Sequence, residues 1–352
     1  MHIDDLLTQA VKHKASDIHI SVGTEPIARI HGKLMKLSPE KLTPQHTHAF
    51  AMQVLGEREY KSLESTGEID TAYAIEGLSR FRVNVFRQKG SCAIVLRVIS
   101  DFIPSMETLG LPAVMKELTK LQRGLILVTG PTGSGKSTTL ASMIDYMNSN
   151  MGHHIITIED PIEYLHQHKK SIVNQREVGA DTLNFANALR AALREDPDVI
   201  LVGEMRDLET IQTAVTAAET GHLVLSTLHT IGAAKTIDRI IDVFPPEQQQ
   251  QIRAQMSLVI EAVISQQLMP SADGKGRQPA FEIMLATPAI RNLVREGKTH
   301  QIQTIIQTST AEKMQTMDGN LLEIYRKGGI DFKTLLRYSV DEDYIKKQLN
   351  AY

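Results

Sequence analysis

One short segment restricts the fold of this chain more than any other. Residues 125–129 (LILVT) are an apolar run, Gly130-Pro131-Thr132-Gly133-Ser134-Gly135-Lys136-Ser137-Thr138 follows at once, and a helical pattern begins at Lys136. A strand that passes through glycines into a helix makes a loop whose main-chain N–H groups can turn inward, at conformations and distances that a Cβ would obstruct. The helix N-terminus adds partial positive charge at the same point. In that setting the pattern G-x-x-x-x-G-K-S is a phosphate-binding loop rather than a chance glycine-rich turn. Lys136 then neutralises β- and γ-phosphate oxygens, and the Ser137 hydroxyl ligates magnesium.

The surroundings fit an α/β domain. Apolar runs at 155–158, 199–202 and 223–227 alternate with helical patterns at 136–148, 183–194 and 208–219. Short continuous apolar strands separated by helices predict a parallel sheet covered on both faces. From about residue 245 the pattern reads as nearly all helical, a C-terminal bundle. Its starts are marked by Thr287-Pro288, by Asp331 and by a capping box over 339–342, and Gly297 closes one helix. Residues 1–99 differ. Ile3, Leu6, Leu7 and Val11 have helical spacing that ends near His13; strands are predicted at 18–22, at 28–30 and 34–37 around His31-Gly32, at 79–86 and at 93–99, with a helix over 43–63. This is a small α+β domain of antiparallel strands with helices on one side. Residues 101–112 contain two prolines and a glycine and read as a linker. The expected organisation is therefore a domain over 1–99, a linker over 100–112 and a second domain over 113–352.

Composition removes several function classes. Thirty-eight basic and 41 acidic side chains leave a net charge of -3, without the basic excess of a general nucleic-acid binder. The single cysteine, Cys92, excludes an intramolecular disulfide and a four-cysteine zinc site within one chain. The N-terminus, MHIDDLLTQA, has acids where a signal peptide would have lysines, and no stretch reaches 18 apolar residues. A cytoplasmic protein is expected.

Four further segments carry chemistry. In DPDVILVGEMRD (196–207) an apolar strand runs into Glu204, one residue after Gly203, which holds the place where an aspartate usually stands beside the nucleotide's magnesium. Glu204 takes that role, the alternative being a carboxylate that only caps a neighbouring element. In IITIEDPIEY (155–164) an acidic cluster follows a strand; Glu163 is the candidate base for activating water, supported by Glu159 and Asp160, and a solvated acidic turn is the alternative. In GHLVLSTLHT (221–230), His222 and His229 flank an apolar strand. They read as γ-phosphate sensors or as satisfied core histidines; seven apart on a strand, they point to opposite faces, which disfavours a shared metal. Arg80, Arg82, Arg87 and Arg97 lie in the first domain, with Arg80 and Arg82 on one strand face. Surface arginines on a sheet are common, but phosphoryl transfer often recruits a guanidinium from another domain or subunit.

Taken together, GPTGSGKST, IEDPIEY, DPDVILVGEMRD and GHLVLSTLHT, in this order and spacing, resemble the secretion ATPase superfamily, and within it the branch of type IV pilus retraction ATPases. The resemblance covers essentially the whole chain. It implies a PAS-like N-terminal domain followed by a RecA-like P-loop ATPase domain with C-terminal helices, ATP and Mg2+ as cofactors, and a homohexameric ring. It implies that Glu204 stands in the Walker B role, that Glu163 is the catalytic base, and that His222 and His229 belong to the active site. Arg82 and Arg97, with Arg80 next, are the arginines it carries to the nucleotide. Assembly and type II secretion relatives typically have an extra N-terminal domain and a four-cysteine insertion, which this sequence lacks. It does have Ala289-Ile290-Arg291-Asn292-Leu293-Val294-Arg295-Glu296, close to a segment associated with retraction. Its Arg291, Asn292, Arg295 and Glu296 are expected to point away from the apolar stripe and be available to a partner, a plain solvated face being the alternative. The implied partners are an inner-membrane platform protein and an accessory retraction ATPase, with membrane association through partners only and no nucleic acid. A related assembly or secretion motor and an ATP-binding scaffold with little turnover are the competing readings.

Overall fold

The computed structural model describes residues 2–350 apart from His31, Ser100, Asp101 and Lys275, with the backbone alone at Asn350. The chain divides into two compact units, Met1–Phe102 with Pro161–Leu165, and Ile103–Asp160 with His166–Tyr352.

The first unit holds α1 (Ile3–Lys12), β1 (Ala15–Ile20), β2 (Ile27–Ile30), β3 (Lys33–Lys36), α2 (Pro44–Thr66), β4 (Glu68–Ile75), β5 (Ser79–Gln88) and β6 (Ser91–Ile99). Its antiparallel sheet has the order β3-β2-β1-β6-β5-β4. Alternation buries Phe81, Val83 and Val85 of β5 and Ile94 and Leu96 of β6 against Ile3 and Leu7 of α1 and Phe50 and Leu63 of α2. The first strand stops at Ile20, short of Val22, and β4 is a strand the sequence pattern did not reveal. The β2–β3 turn was expected at His31-Gly32, of which His31 lies outside the described residues.

The second unit opens with α3 (Val114–Leu118) and continues through β7 (Gly124–Thr129), α4 (Lys136–Asn150), β8 (His154–Glu159), β9 (Ile172–Glu177), α5 (Phe185–Ala192), β10 (Val199–Val202), α6 (Leu208–Glu219) and β11 (Leu223–Leu228). After it come α7 (Ala233–Asp242), α8 (Pro246–Val259), β12 (Ile260–Pro270), β13 (Arg277–Leu285), α9 (Pro288–Glu296), α10 (Ile302–Thr308), α11 (Met317–Arg326), α12 (Phe332–Tyr338) and α13 (Glu342–Asn350). The sheet order is β13-β12-β7-β11-β10-β8-β9, parallel except for β13. Both faces are covered, as expected. Leu125, Leu127, Ile156 and Ile200 enter one core, and Ile126, Val128, Ile155 and Leu201 the other.

The region after residue 245 is not all helical. Within it, β12 and β13 form a hairpin, with β12 laid parallel beside β7. A short apolar run such as 260–264 does not reveal its conformation by periodicity; pairing with β7 decides it. Helices α11 to α13 then pack on this hairpin through Met269, Ala280, Leu321, Leu335 and Ile345. The expected caps at Thr287, Gly297 and Asp331 are present. The capping box over 339–342 is not: the Ser339 hydroxyl donates back to the Leu336 carbonyl, and Asp341 accepts from the Tyr344 N–H at 2.9 Å instead. Among the described residues no helix is long and apolar enough to cross a membrane.

Candidate active site

β7 ends at Thr129 and α4 begins at Lys136, so the loop between them lies at the carboxyl edge of the parallel sheet, where ligands of α/β folds gather. Gly133 and Gly135 adopt φ of 80° and 90°, the left-handed region in which a side chain is strained. Lys136, only 8% exposed, folds back along the loop. Its Nζ donates to the Gly130 carbonyl at 2.8 Å and the Pro131 carbonyl at 3.1 Å. Burial lowers its pKa from the usual lysine value, and Glu204 opposes that shift through space. Among the described residues the Ser134 hydroxyl is buried without a hydrogen-bond partner, as is that of Thr129. Pro131 and Thr132 are exposed at the loop's tip, the Ser137 side chain is exposed, and Thr138 follows in the first turn of α4.

Neighbouring strand ends supply the acids. Glu204 follows β10, and its Oε1 lies 3.2 Å from His229 Nε2, just past β11, and also receives the Arg206 guanidinium. That carboxylate raises the Arg206 pKa. The usual aspartate place is tightly packed: a Cβ on Gly203 would lie 3.1 Å from the Ile158 carbonyl oxygen and 3.3 Å from Glu159 Cα. Glu159, at the end of β8, accepts from the Thr157 hydroxyl at 2.7 Å and the Gln175 amide at 3.3 Å. Loop, Glu204, His229 and Glu159 thus share one edge of one sheet.

His222 does not join them. It precedes β11, where its carbonyl accepts from the Gly124 N–H at 3.0 Å and its Nδ1 lies 3.0 Å from the Ala217 carbonyl. That is the opposite end of the strand, a run of about 20 Å from the phosphate loop. Its Nδ1 is satisfied locally. Glu163 is exposed in Pro161–Leu165, the segment that belongs with the first unit.

In that unit Arg82 and Arg97 stand directly opposite one another across β5 and β6. Arg97 Nε donates to Asp17 at 2.9 Å, which offsets the like-charge pairing. Arg82 is exposed at the centre of the pair, Arg80 is half-buried two residues earlier on the same strand, and Arg87 is exposed near the strand's end.

Segment 289–296 forms most of α9, with Ile290 and Val294 buried and Leu293 partly so, while Ala289 is exposed. Arg291 is not available as expected. It donates to the carbonyls of Ala286 at 3.1 Å, Ser257 at 3.2 Å and Leu258 at 2.8 Å, and meets Glu261 at 2.8 Å. The spacing along α9 could not show this, because three of the four acceptors come from the α8–β12 junction. Asn292, Arg295 and Glu296 bond among themselves on the outer side of the helix.

Residue pattern also missed Gln266 on β12, whose amide bonds the Ser134 carbonyl at 2.7 Å and the Thr139 hydroxyl at 2.8 Å. No sequence signal marked it, since it lies in a stretch read as helix.

Comparison with known proteins agrees with this geometry. The chain is 51% identical to a Pseudomonas aeruginosa protein named "Type IV pilus retractation ATPase PilT", over 93% of this chain and 95% of that one. It is 48% identical to a Neisseria gonorrhoeae "Twitching motility protein", over 92% of this chain and 86% of that one. A crystal structure of the pilus retraction motor PilT with bound ADP superposes with a TM-score of 0.92 at 50% identity, covering 99% of each chain. Residues 1–337 match the family described as "Type II/IV secretion system protein", and to that family the chain belongs.

Proposed function

We propose that the chain is a magnesium-dependent ATPase that powers retraction of a type IV pilus. The observation that carries this is the glycine cradle at the end of β7, with Lys136 held on loop carbonyls, in a chain half identical along its length to a retraction motor that binds ADP. The loop amides and the α4 N-terminus bind the β- and γ-phosphates, and Lys136 exchanges two neutral carbonyl partners for phosphate oxygens. The Ser137 hydroxyl and the Glu204 carboxylate are hard oxygen donors of the kind magnesium takes. Two protein oxygens suffice for an ion that usually keeps waters and substrate phosphates as its other partners. Magnesium bound there would neutralise charge on the transferred phosphoryl group.

Glu163 acts as general base toward the attacking water, with Glu159 and Asp160 supporting it, and His229 reports on the γ-phosphate through Glu204. Arg82 and Arg97, and after them Arg80, are the candidates for the guanidinium that meets the phosphates. Residues 1–99 form a PAS-like domain, 100–112 a linker, and 113–352 a RecA-like domain carrying the β12–β13 hairpin and the C-terminal helices. Six copies form a ring in the cytoplasm at the inner-membrane base of the pilus, docked on a platform protein and assisted by an accessory retraction ATPase. Loss of the γ-phosphate releases the contacts that hold the closed state, and the resulting motion does the work. The four motifs and the likeness to the retraction motor support this reading.

Steady-state phosphate release by the purified chain, and twitching of a retraction-deficient strain that expresses it, test the proposal. The wild type is expected to show both. Glu163→Gln should retain ATP binding and lose turnover by at least about a hundredfold. Phosphate release by the wild type at the rate of a protein-free blank would overturn the reading.

A further inference from the structure

We infer that Gln266 is a positioning residue for the phosphate loop, fixing the direction of one of its main-chain amides; this rests on the nucleotide-binding reading above. Gln266 is 3% exposed on β12, and its single side-chain amide ties the loop to the first turns of α4. Nε2 donates to the Ser134 carbonyl at 2.7 Å, and Oε1 accepts from the Thr139 hydroxyl at 2.8 Å. The orientation of that amide is forced, because a carbonyl can only accept and so must face the nitrogen.

The consequence passes through the peptide plane. In a trans peptide the C=O and the following N–H point in opposite directions. With the Ser134 carbonyl drawn onto β12, the Gly135 N–H is aimed away from that strand, toward the side on which a phosphate would be met. The same residue closely approaches two of the loop's glycines. A Cβ on Gly130 would lie 2.2 Å from the Gln266 carbonyl oxygen, and one on Gly135 would lie 2.9 Å from Nε2, whereas a Cβ on Gly133 would meet nothing within 4 Å. Gly130 is therefore required by the close approach of the Gln266 main chain, and Gly135 by its φ of 90°, to which the Gln266 amide adds a close contact. Gly133 is required only by its φ of 80°.

Gln266→Met keeps the side chain's length and approximate volume and removes both hydrogen bonds. Gln266→Glu removes the donor and places a carboxylate behind the phosphate site. Thr139→Val removes only the second bond. Each is to be assayed in the full chain for ADP and AMP affinity, for kcat and KM with ATP, and for the thermal midpoint without nucleotide.

Gln266→Met is expected to weaken ADP about tenfold while AMP, which lacks the β-phosphate, changes less than twofold; one lost hydrogen bond of about 1.4 kcal/mol corresponds to that tenfold change. Gln266→Glu should weaken ADP further. Thr139→Val should weaken it about threefold, and adding it to Gln266→Met should cause no additional loss, because the two bonds form one chain. A purely structural role would lower the thermal midpoint and shift both nucleotides alike, and that result would overturn the inference. So would ADP affinity within twofold of wild type in folded Gln266→Met, or, if that variant does not fold, unchanged ADP affinity in Thr139→Val. Failure of the wild type itself to bind ADP would instead sink the nucleotide-binding reading on which the inference rests.

Discussion

Lys136 and Arg291 are both largely withdrawn from water and both bonded to main-chain carbonyls, yet they play different parts. Lys136 has two neutral acceptors and no carboxylate within ion-pair distance among the described residues, and burial pushes its pKa down. Arg291 has three carbonyls and the Glu261 carboxylate, which occupy four of the five N–H donors of its planar fork. A cation held by neutral dipoles gains by exchanging them for an anion. A cation already neutralised by a carboxylate gains little from a second anion, and serves to fix the elements that bond it. The first arrangement receives a ligand, and the second ties α9 to the α8–β12 junction.

Matched substitutions can break this comparison. Lys136→Met should lower ATP turnover at least about a thousandfold, roughly 4 kcal/mol of transition-state stabilisation, while changing the nucleotide-free unfolding free energy by less than about 1 kcal/mol. Phosphate release and urea unfolding measured on the same preparation check both halves, and near-normal turnover would remove Lys136 from the phosphate site. Arg291→Met should do the reverse. It leaves Glu261 and three carbonyls without their donor, so about 1–3 kcal/mol of stability is lost, discounted for partial exposure, while turnover per folded molecule stays within about threefold. Impaired twitching in a strain carrying that variant would then follow from the lost clamp between helices. A twitching defect with unchanged stability would instead restore Arg291 to the partner surface.

The two histidines around β11 extend the same contrast on a smaller scale. His229 meets a carboxylate at the phosphate edge, and His229→Ala is expected to lower kcat about tenfold or more. His222 is satisfied by the Ala217 carbonyl at the far edge, and His222→Ala should leave the isolated chain's turnover within about twofold. Equal losses in the two variants would show that strand position does not decide their roles.

The effect that is smallest at neutral pH concerns a ring nitrogen without a partner among the described residues. The His166 Nδ1 is buried without a hydrogen bond, and burial pushes its pKa down from 6.5 to about 4. The folded state keeps it neutral where the unfolded chain takes up a proton, so stability falls as pH drops from 6.5 toward 4. About 3 kcal/mol is at stake in the limit of low pH, more than half of it lost by pH 5. His166→Met should flatten the slope of urea midpoint against pH over that window, and an unchanged slope would assign it to other groups.

What could be read in advance follows chain locality. The phosphate loop is contiguous, its glycines and lysine are fixed by local conformation, and the strand before it and helix after it declare themselves by their own patterns. Glu204 was legible because an acid ending an apolar strand is a local feature. The hairpin of β12 and β13 was not, because an apolar stretch becomes a strand only when an edge such as β7 is there to pair with it. Arg291 was placed on the correct helix, but its bonding was not legible, since three of its four acceptors are 30 to 34 residues away.

The sequence by itself determined that a strand, a glycine loop and a helix would make a phosphate site at the edge of a parallel sheet, with acids on neighbouring strands. Only the tertiary structure decided which charged groups are already spent on their neighbours and which are left to meet a ligand. Helical and strand periodicities are set by backbone geometry over a few consecutive positions. The pairing of Gln266 with Ser134, by contrast, joins groups 132 positions apart that meet only after β12 lies beside β7.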